Sequence, residues 1–348
     1  MNIVVVGSKG TLGLELARSW NDRRVEERIA ANLGVAPVDE QDRVISLNIP
    51  DFDVCSRASA IGTICDFEPD VILNASGVNL IDWLETRPNT ARTLHKHGPA
   101  NLREAAKRSG ALLVQYSCGE VFYRSRLERG AVDERENVAT PEEARSRVKA
   151  FDDESELDLP VDPDAPGFDE TTVPNPASVY AKTKVESERV ASEAPESLII
   201  RFSSLFGETT EYSSGNLIGS LLNAFGRTSR VSAISDRMIE PLWSVDVLCA
   251  TKTLIRCDAR GLYHLTGNSR GTLEDVARYL LEKTGLRGRS VSGVTTKEYG
   301  VTAPHSAFTI LRSARCDQLD GLYRVPDWRT AVTDFLDWRQ NYGSAIVK

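Results

Sequence analysis

The sequence has few of the features that mark membrane, nucleic-acid-binding or secreted proteins. No apolar run approaches the ~18 residues that a membrane-spanning helix needs, and the N-terminus has no signal-peptide layout. The formal net charge is −8 and no basic stripe stands out, which argues against a nucleic-acid partner or a membrane surface. We therefore expect a chain that binds neither nucleic acid nor membrane.

Patterns for metal ligation and disulfides are also missing. The six cysteines are scattered along the 348 residues without a CxxC pair, as is usual for reduced thiols in a cytoplasmic protein. The four histidines have no partner pattern for a metal, so we interpret His95 and His97 as a loop pair. The length allows one large domain or two closely packed ones. We expect a cytoplasmic protein without a metal site.

The N-terminus carries a strand, a glycine-rich turn and a helix in that order. Residues 3–6 are continuously apolar, as is typical of a strand buried on both faces of a parallel sheet. After the turn, Leu12, Leu16 and Trp20 recur at helical spacing. Glycines let the backbone approach a pyrophosphate, and a helix N-terminus supplies free amide donors. The pattern predicts a dinucleotide site formed by Gly7, Lys9, Gly10, Thr11, Leu12 and Gly13.

A tyrosine and a lysine four residues apart form a second candidate site. Tyr180 and Lys184 follow residues 174–178 on a predicted helix, where this spacing puts both side chains on one face. An unperturbed phenol titrates near pH ~10, and a nearby ammonium lowers that pKa because it favours the phenolate. The same ammonium can donate to a ribose hydroxyl. The pair fits an acid/base beside a nicotinamide ring, although such spacing is also common on solvated helix faces.

Apolar strands alternate with helices along most of the chain. Such alternation predicts an α/β protein with a doubly wound parallel sheet of the Rossmann type, whose ligands lie at the carboxyl ends of the strands. We assign residues 1–206 to an NAD(P)-binding domain, to which a strand at about 261–266 returns, and residues 207–348 mainly to a smaller C-terminal α/β substrate-binding domain. A helix after Thr272 has Asp275 in the capping-box position. The predicted strands of the first domain are residues 3–6, 43–48, a short strand ending at 52–54, 69–77, 111–117 and 197–202.

Residues 124–168 interrupt this alternation. No Lys or Arg lies between Lys149 and Lys182, whereas aspartate and glutamate are frequent there. A charge run of this kind is typical of a solvated, partly disordered insertion. We interpret the segment as a peripheral insertion, with an acidic lid over the site as the alternative.

Together these stretches resemble an extended short-chain dehydrogenase/reductase of the NAD-dependent epimerase/dehydratase superfamily. The resemblance is strongest to the dTDP-4-dehydrorhamnose reductase subgroup. It covers residues 1 to about 267, and beyond them the match is loose. The stretches that carry it are residues 7–13, 53–54, 69–75, 82 with 85, 116–122, 176–184, 201–207 and 261–265.

The resemblance implies roles for individual residues. It makes Tyr180 the catalytic acid/base and Lys184 the residue that holds the nicotinamide ribose and lowers the tyrosine pKa, with Cys118 completing the catalytic set. It also implies an NAD or NADP cofactor, with Asp53 and Val54 against the adenine. The remaining implied cofactor-binding residues are Asn74, Ala75, Ser76, Gly77 and Phe202.

The chain departs from the subgroup at several of these positions. Cys118 stands where a Ser or Thr usually donates to the substrate carbonyl, and Gly119 replaces the Asp that usually follows. A thiol is a weaker donor than a hydroxyl. His95 stands in the place of a customary Asn. Asn48 and Ile49 supply neither the acidic residue that favours NAD nor the Arg that favours NADP, and Lys9 is a candidate for contact with a 2′-phosphate.

These observations predict an NAD(P)-dependent oxidoreductase that reduces the keto group of a nucleotide sugar. Two alternatives stay open. One is a nucleotide-sugar epimerase or dehydratase on the same scaffold. The other is a non-catalytic NAD(P)-binding sensor or regulatory protein, which Cys118 and Gly119 favour. The expected partner is a small molecule, with a homodimer as the candidate assembly.

Overall fold

A six-stranded parallel sheet forms the centre of the protein. The computed structural model describes residues 1–124, 164–208 and 216–342. The strands of this sheet are β1 (Asn2–Val6), β2 (Arg43–Leu47), β3 (Val71–Asn74), β4 (Leu112–Cys118), β5 (Ser197–Phe202) and β9 (Gly261–His264). Their order across the sheet is β2-β1-β3-β4-β5-β9. Two smaller parallel pairs join β6 (Ser204–Phe206) to β8 (Pro241–Trp243) and β7 (Arg230–Ile234) to β10 (Ser290–Val294).

Helices cover both faces of the central sheet. In the first half of the chain they are α1 (Thr11–Ser19), α2 (Arg23–Leu33), α3 (Arg57–Asp66), α4 (Ile81–Glu85), α5 (Pro88–Arg92) and α6 (Gly98–Ser109). In the second half they are α7 (Val179–Ser192), α8 (Leu217–Arg227), α9 (Ser244–Arg256), α10 (Leu273–Thr284) and α11 (Trp328–Tyr342). Among the described residues, no helix combines the length and the apolarity required to cross a membrane.

Alternate side chains of the buried strands feed two separate cores. Ile3 and Val5 of β1 pack in a core with α1 and α2, whereas Val4 and Val6 pack in a second core with α3 and α6. Successive side chains of a strand point to opposite faces of a sheet, so a strand that is apolar throughout requires cover on both sides. The predicted α/β, doubly wound parallel sheet is confirmed.

The predicted short strand ending at residues 52–54 is wrong. Residues 48–56 form turns between β2 and α3. The Asp53 carboxylate accepts a hydrogen bond from the Cys55 N–H at 2.9 Å, and this side-chain turn competes with a sheet ladder. Phe52 and Val54 are nevertheless buried. The apolar residues that suggested a strand therefore fix a loop to the core.

The helix α9 is absent from the sequence-based prediction. It is buried on nearly every side, and its polar residues are buried with the apolar ones. Lys252, for example, donates to the Trp20 carbonyl at 2.5 Å and pairs with Glu26 at 2.6 Å. Since polar residues lie inward, the helix has no apolar stripe of the kind that periodicity detects. Its contacts with α1 and α2 bring it against the first core.

The C-terminal part of the chain supplies helices and also one strand of the central sheet. The predicted capping box of α10 is present, with Thr272 accepting from the Asp275 N–H and the Asp275 carboxylate accepting from the Thr272 N–H. β9 pairs with β5 in parallel register, so the chain returns to the central sheet. The boundary between residues 206 and 207 stays a prediction.

Most of the predicted insertion, residues 125–163, lies outside the described residues. Its C-terminal end is not peripheral. Phe168 stacks on Phe122 with ring centroids 4.5 Å apart and meets Phe308 edge-on at 6.0 Å. The Arg124 guanidinium lies 4.8 Å from the Phe168 ring centroid. The extent of the insertion, about 124–168, stays a prediction, and an aromatic core holds its C-terminal end.

Replacement of Phe168 by Ala should destabilise the protein by about 3–5 kcal/mol, because it removes a buried ring from a packed aromatic cluster. Denaturant unfolding would measure the change in the free energy of unfolding. Val173→Ala provides the control, since Val173 is 81% exposed and should change this free energy by less than about 0.5 kcal/mol. Equal stability of the Phe168 and Val173 variants would show that the cluster contributes nothing.

Candidate active site

The carboxyl ends of four neighbouring strands meet at one edge of the sheet. Gly7 follows β1, Ala75 follows β3, and Cys118 and Phe202 are the last residues of β4 and β5. In a doubly wound parallel sheet this edge is where ligands bind. The structure thus brings the glycine turn, the small residues after β3 and the residues after β4 to one side of the protein.

The three glycines of the first turn have different roles. Gly7 has a φ of +83°, and a Cβ there would lie 2.7 Å from the Ala75 backbone. A Cβ at Gly13 would lie 2.0 Å from the Gly7 carbonyl oxygen. At Gly10 a Cβ would meet only this same oxygen, at an ordinary 3.6 Å. Gly7 and Gly13 are therefore required by packing within the protein, whereas Gly10 leaves open space at the N-cap of α1.

Lys9 lies beside the end of β2. Its ammonium donates to the Ile49 carbonyl at 3.1 Å, and Asn48 is the neighbouring residue. This is the region in which the resemblance places cofactor discrimination. Asp53 and Val54, the predicted adenine contacts, lie in the turns that follow the same strand.

A buried polar chain links the ends of β3 and β4. The Asn74 amide donates to the Gln115 side-chain oxygen at 2.7 Å, and the Ser76 hydroxyl donates to the Asn74 side-chain oxygen at 2.5 Å. Gln115 in turn donates to the Tyr116 carbonyl at 2.9 Å. These bonds fix the predicted cofactor-lining residues after β3 relative to β4.

The interpretation of His95 and His97 as a loop pair is wrong, because both lie in a π-helical turn, Thr93–His97. His95 is buried and its Nδ1 lies 3.0 Å from the Thr183 hydroxyl. Since this hydroxyl already donates to the Tyr180 carbonyl, Nδ1 carries the proton. Nε2 accepts from the Val78 N–H at 3.3 Å. Burial lowers the pKa of His95 to about 3, so this histidine joins the loop after β3 to the catalytic helix as a neutral ring.

Tyr180 stands in the first turn of α7, and that helix has a well-defined start. The Ser178 hydroxyl caps it by accepting from the Ala181 N–H at 3.1 Å. The Glu85 carboxylate accepts from the Val179 N–H at 2.8 Å. A carboxylate at a helix N-terminus is favoured by the helix dipole. These two contacts direct the Tyr180 ring toward the end of β4.

Tyr180 and Cys118 meet at the centre of the site. The Cys118 thiol lies 3.5 Å from the Tyr180 hydroxyl and donates to it. Both side chains are buried and share a cluster with Leu84 and Ala91. Burial raises the pKa of the Cys118 thiol. Burial also raises the pKa of Tyr180 well above its usual value, and the neighbouring Cys118 adds to this second effect. At neutral pH both groups are therefore protonated and able to donate.

Lys184 is close to this pair, but its effect differs from the expected one. Its ammonium donates to the Tyr116 carbonyl at 2.7 Å, and burial lowers its own pKa. The expected lowering of the Tyr180 pKa by Lys184 is not found, because burial dominates at the phenol. The phenol therefore holds its proton at neutral pH, which is the state that a proton donor requires. Phe202, the last predicted cofactor residue, has its ring centroid 6.5 Å from that of Tyr116.

The contacts of Gly119 and Glu120 could not be predicted from the sequence. A Cβ at Gly119 would lie 2.6 Å from the Thr309 carbonyl oxygen, so the usual Asp has no room here. Burial alone would raise the pKa of Glu120, but the Arg237 guanidinium at 2.5 Å, His305 and the Ser306 N–H together lower it. The usual Asp is therefore excluded by the segment around Thr309, which is distant in the chain and packs over Gly119.

Comparison with known proteins identifies the family to which the chain is similar. A family model described as the RmlD substrate binding domain matches residues 1–341. A dTDP-4-dehydrorhamnose reductase of Sinorhizobium fredii is 25% identical over 303 residues, which is 83% of this chain and 87% of the relative. The crystal structure of a dTDP-4-dehydrorhamnose reductase from Clostridium acetobutylicum aligns with a TM-score of 0.74 at 20% identity, covering 98% of this chain and 100% of that one. The enzyme of the same name from Bacillus anthracis, in complex with NADP, aligns with a TM-score of 0.73 at 18% identity, covering 97% and 99% of the chains.

Proposed function

The chain belongs to the RmlD substrate-binding family, and from this premise we propose that it is an NAD(P)-dependent oxidoreductase reducing the keto group of a nucleotide sugar. The observation that carries the proposal is the meeting of the Tyr180 hydroxyl and the Cys118 thiol, 3.5 Å apart, at the edge of the sheet that holds the glycine turn. The relatives' printed name makes dTDP-4-dehydrorhamnose the first substrate to test.

The glycine turn fits a dinucleotide. Gly10 leaves open space at the start of α1, and within the described ranges no side chain caps the first turn of this helix. Its amide groups are then available to an anionic group, which the helix dipole also favours. Gly7, Gly10 and the residues of the first helical turn would hold the pyrophosphate.

Tyr180 supplies the proton for the reduction, and its neighbours Cys118 and Lys184 assist it. A reduced nicotinamide held at this edge of the sheet would supply the hydride for the carbonyl carbon. Tyr180, protonated at neutral pH because burial raises its pKa, gives its proton to the carbonyl oxygen, which becomes the alcohol. The Cys118 thiol is within reach to donate a second hydrogen bond to the same oxygen. Lys184 carries positive charge beside the phenolate that the proton transfer leaves.

The proposal also assigns a positioning role to the neutral His95. Through Thr183 it holds the first turn of α7, and through the Val78 N–H it holds the loop after β3. Because the ring is uncharged at neutral pH, it fixes the distance between the catalytic helix and the cofactor edge without adding charge to the site.

A thermal-shift screen of dinucleotides crossed with nucleotide sugars tests the proposal. Ligands that bind only the folded protein stabilise it by mass action. We expect NADPH or NADH to raise the melting temperature, and a dTDP-sugar to raise it further in the presence of the dinucleotide. A protein that responds to no dinucleotide would contradict the assignment.

A further inference from the structure

Residues 302–309, which we call the crossing segment, run past the catalytic residues and are fixed to the loops after two strands. The carboxylate of Asp82, in the first turn of α4, accepts from the backbone N–H groups of Thr302 and Ala303 at 2.7 and 2.8 Å. The Glu120 carboxylate, two residues after Cys118, accepts from the Ser306 N–H at 3.2 Å. Two carboxylates from distant parts of the chain therefore hold the segment at the site.

His305 is the side chain of the crossing segment that lies between these carboxylates. Its Nε2 is 3.5 Å from an oxygen of Asp82, and its Nδ1 is 3.9 Å from an oxygen of Glu120. The side chain is only 9% exposed, yet within the described part of the chain neither ring nitrogen has a hydrogen-bond partner. Buried polar atoms are rarely left in this condition unless something else binds them.

The two carboxylates that flank His305 connect it to the surroundings of the catalytic pair. Leu84 of α4 packs in the same cluster as Tyr180 and Cys118, so Asp82 and Glu120 both belong to elements that border that cluster. The negative charge of Glu120 adds to the raised pKa of both Cys118 and Tyr180. His305 thus lies close to Glu120, whose negative charge acts on both Cys118 and Tyr180.

The chemistry of this cluster selects a neutral, hydroxyl-bearing ligand. Asp82 and Glu120 would repel a phosphate, whereas a sugar hydroxyl both donates and accepts hydrogen bonds. Asp82 has one carboxylate oxygen turned toward His305, while its other oxygen is held by the backbone. The Asp82 side chain is also 46% exposed, so a ligand has access from solvent.

We infer that His305, flanked by Asp82 and Glu120, binds hydroxyl groups of the sugar ring and determines which sugar the enzyme accepts. This inference rests on the proposed nucleotide-sugar function and deepens it. The unpaired ring nitrogens and the two carboxylates that flank them carry it. The residue is one of substrate recognition, and the proton and hydride transfers do not pass through it.

Calorimetry with dTDP and dTDP-glucose tests the inference without requiring turnover. The ratio of the two dissociation constants isolates the contribution of the sugar. In the wild type we expect dTDP-glucose to bind more tightly than dTDP. His305→Leu should reduce that advantage by about 10-fold, since a buried polar contact is lost, and should leave the affinity for dTDP unchanged. His305→Asn retains a donor and an acceptor and should keep part of the advantage.

Two controls separate recognition from folding. His97→Leu makes the same chemical change at an exposed position and should alter neither dissociation constant. Melting temperatures of all three variants report whether the fold is intact. An unchanged ratio in both His305 variants, or a wild type that gains nothing from the glucose, overturns the inference. Failure of the proposed function is a different result, in which the ratio behaves as expected but no keto sugar is reduced.

Discussion

Replacement of Tyr180 by Phe is expected to lower kcat by roughly 10²–10⁴-fold, because it removes the group that protonates the carbonyl oxygen. The phenol is buried with a raised pKa, so it carries its proton at neutral pH and no described neighbour is equally placed to substitute for it. Dinucleotide affinity should stay within about 3-fold of the wild-type value, since the glycine turn and Lys184 are unchanged. Steady-state kinetics with a 4-keto nucleotide sugar measures the first quantity and fluorescence titration the second.

Cys118→Ser is the matched variant on the other side of the reacting oxygen. Its hydroxyl is a stronger donor than the thiol, and preorganised donors at such an oxygen are worth several kcal/mol. Activity should therefore be kept or raised. If neither Tyr180→Phe nor Cys118→Ser changes any measurable rate while the dinucleotide still binds, the two side chains do not take part in catalysis.

Gly10→Val should abolish dinucleotide binding and leave the fold intact. The added side chain would occupy the space at the start of α1, where only the Gly7 oxygen lies within reach of a Cβ. The backbone at Gly10 has a φ of −74°, which any residue can adopt. Calorimetry should detect no binding, and the melting temperature in the absence of ligand should be close to that of the wild type.

Gly13→Ala is the counterpart that separates packing from binding. Its Cβ would lie 2.0 Å from the Gly7 oxygen, so the turn itself must move and the melting temperature should fall. Equal dinucleotide affinity in wild type and Gly10→Val would contradict the proposed cradle. A fall in the melting temperature of Gly10→Val as large as that of Gly13→Ala would show that Gly10 is a packing residue instead.

The features that were predicted correctly depend on residues close together in the chain. The first strand, the glycine turn and the capping box of α10 are each contained in a short stretch, and each has a physical signature of its own. The alternation of buried strands and helices then implies the parallel sheet, because such strands require cover on both faces. For these features the local pattern and the final structure agree.

The features that were missed depend on contacts between distant residues. Residues 52–54 look like the end of a strand because Phe52 and Val54 are apolar, but the Asp53 turn and the core beneath it decide their conformation. Gly119 stands where the resembling reductases usually have an Asp, and the Thr309 backbone occupies the space that a side chain would need. The expected influence of Lys184 on Tyr180 gives way to burial, which depends on the whole fold.

The candidate site was therefore predictable as a set of residues but not as an electrostatic environment. Tyr180, Lys184 and Cys118 are brought together by α7 and β4. Burial, together with the nearby charge of Lys184, keeps His95 neutral, while Thr183 and Val78 contact its two ring nitrogens. No spacing in the sequence connects His95 with Thr183 or Val78.

Single-turnover oxidation of bound NADPH by dTDP-4-dehydrorhamnose tests the central claim most directly. The enzyme is mixed with NADPH in equal amount, the keto sugar is added in excess, and the nicotinamide absorbance is followed. The account predicts a stoichiometric loss of absorbance in the wild type, at least as fast in Cys118→Ser, and slowed by roughly 10²–10⁴-fold in Tyr180→Phe. A loss that recovers would indicate an epimerase or dehydratase. No loss in the wild type or in Cys118→Ser, with a panel of 4-keto sugars and the dinucleotide bound, would contradict the account and favour a sensor.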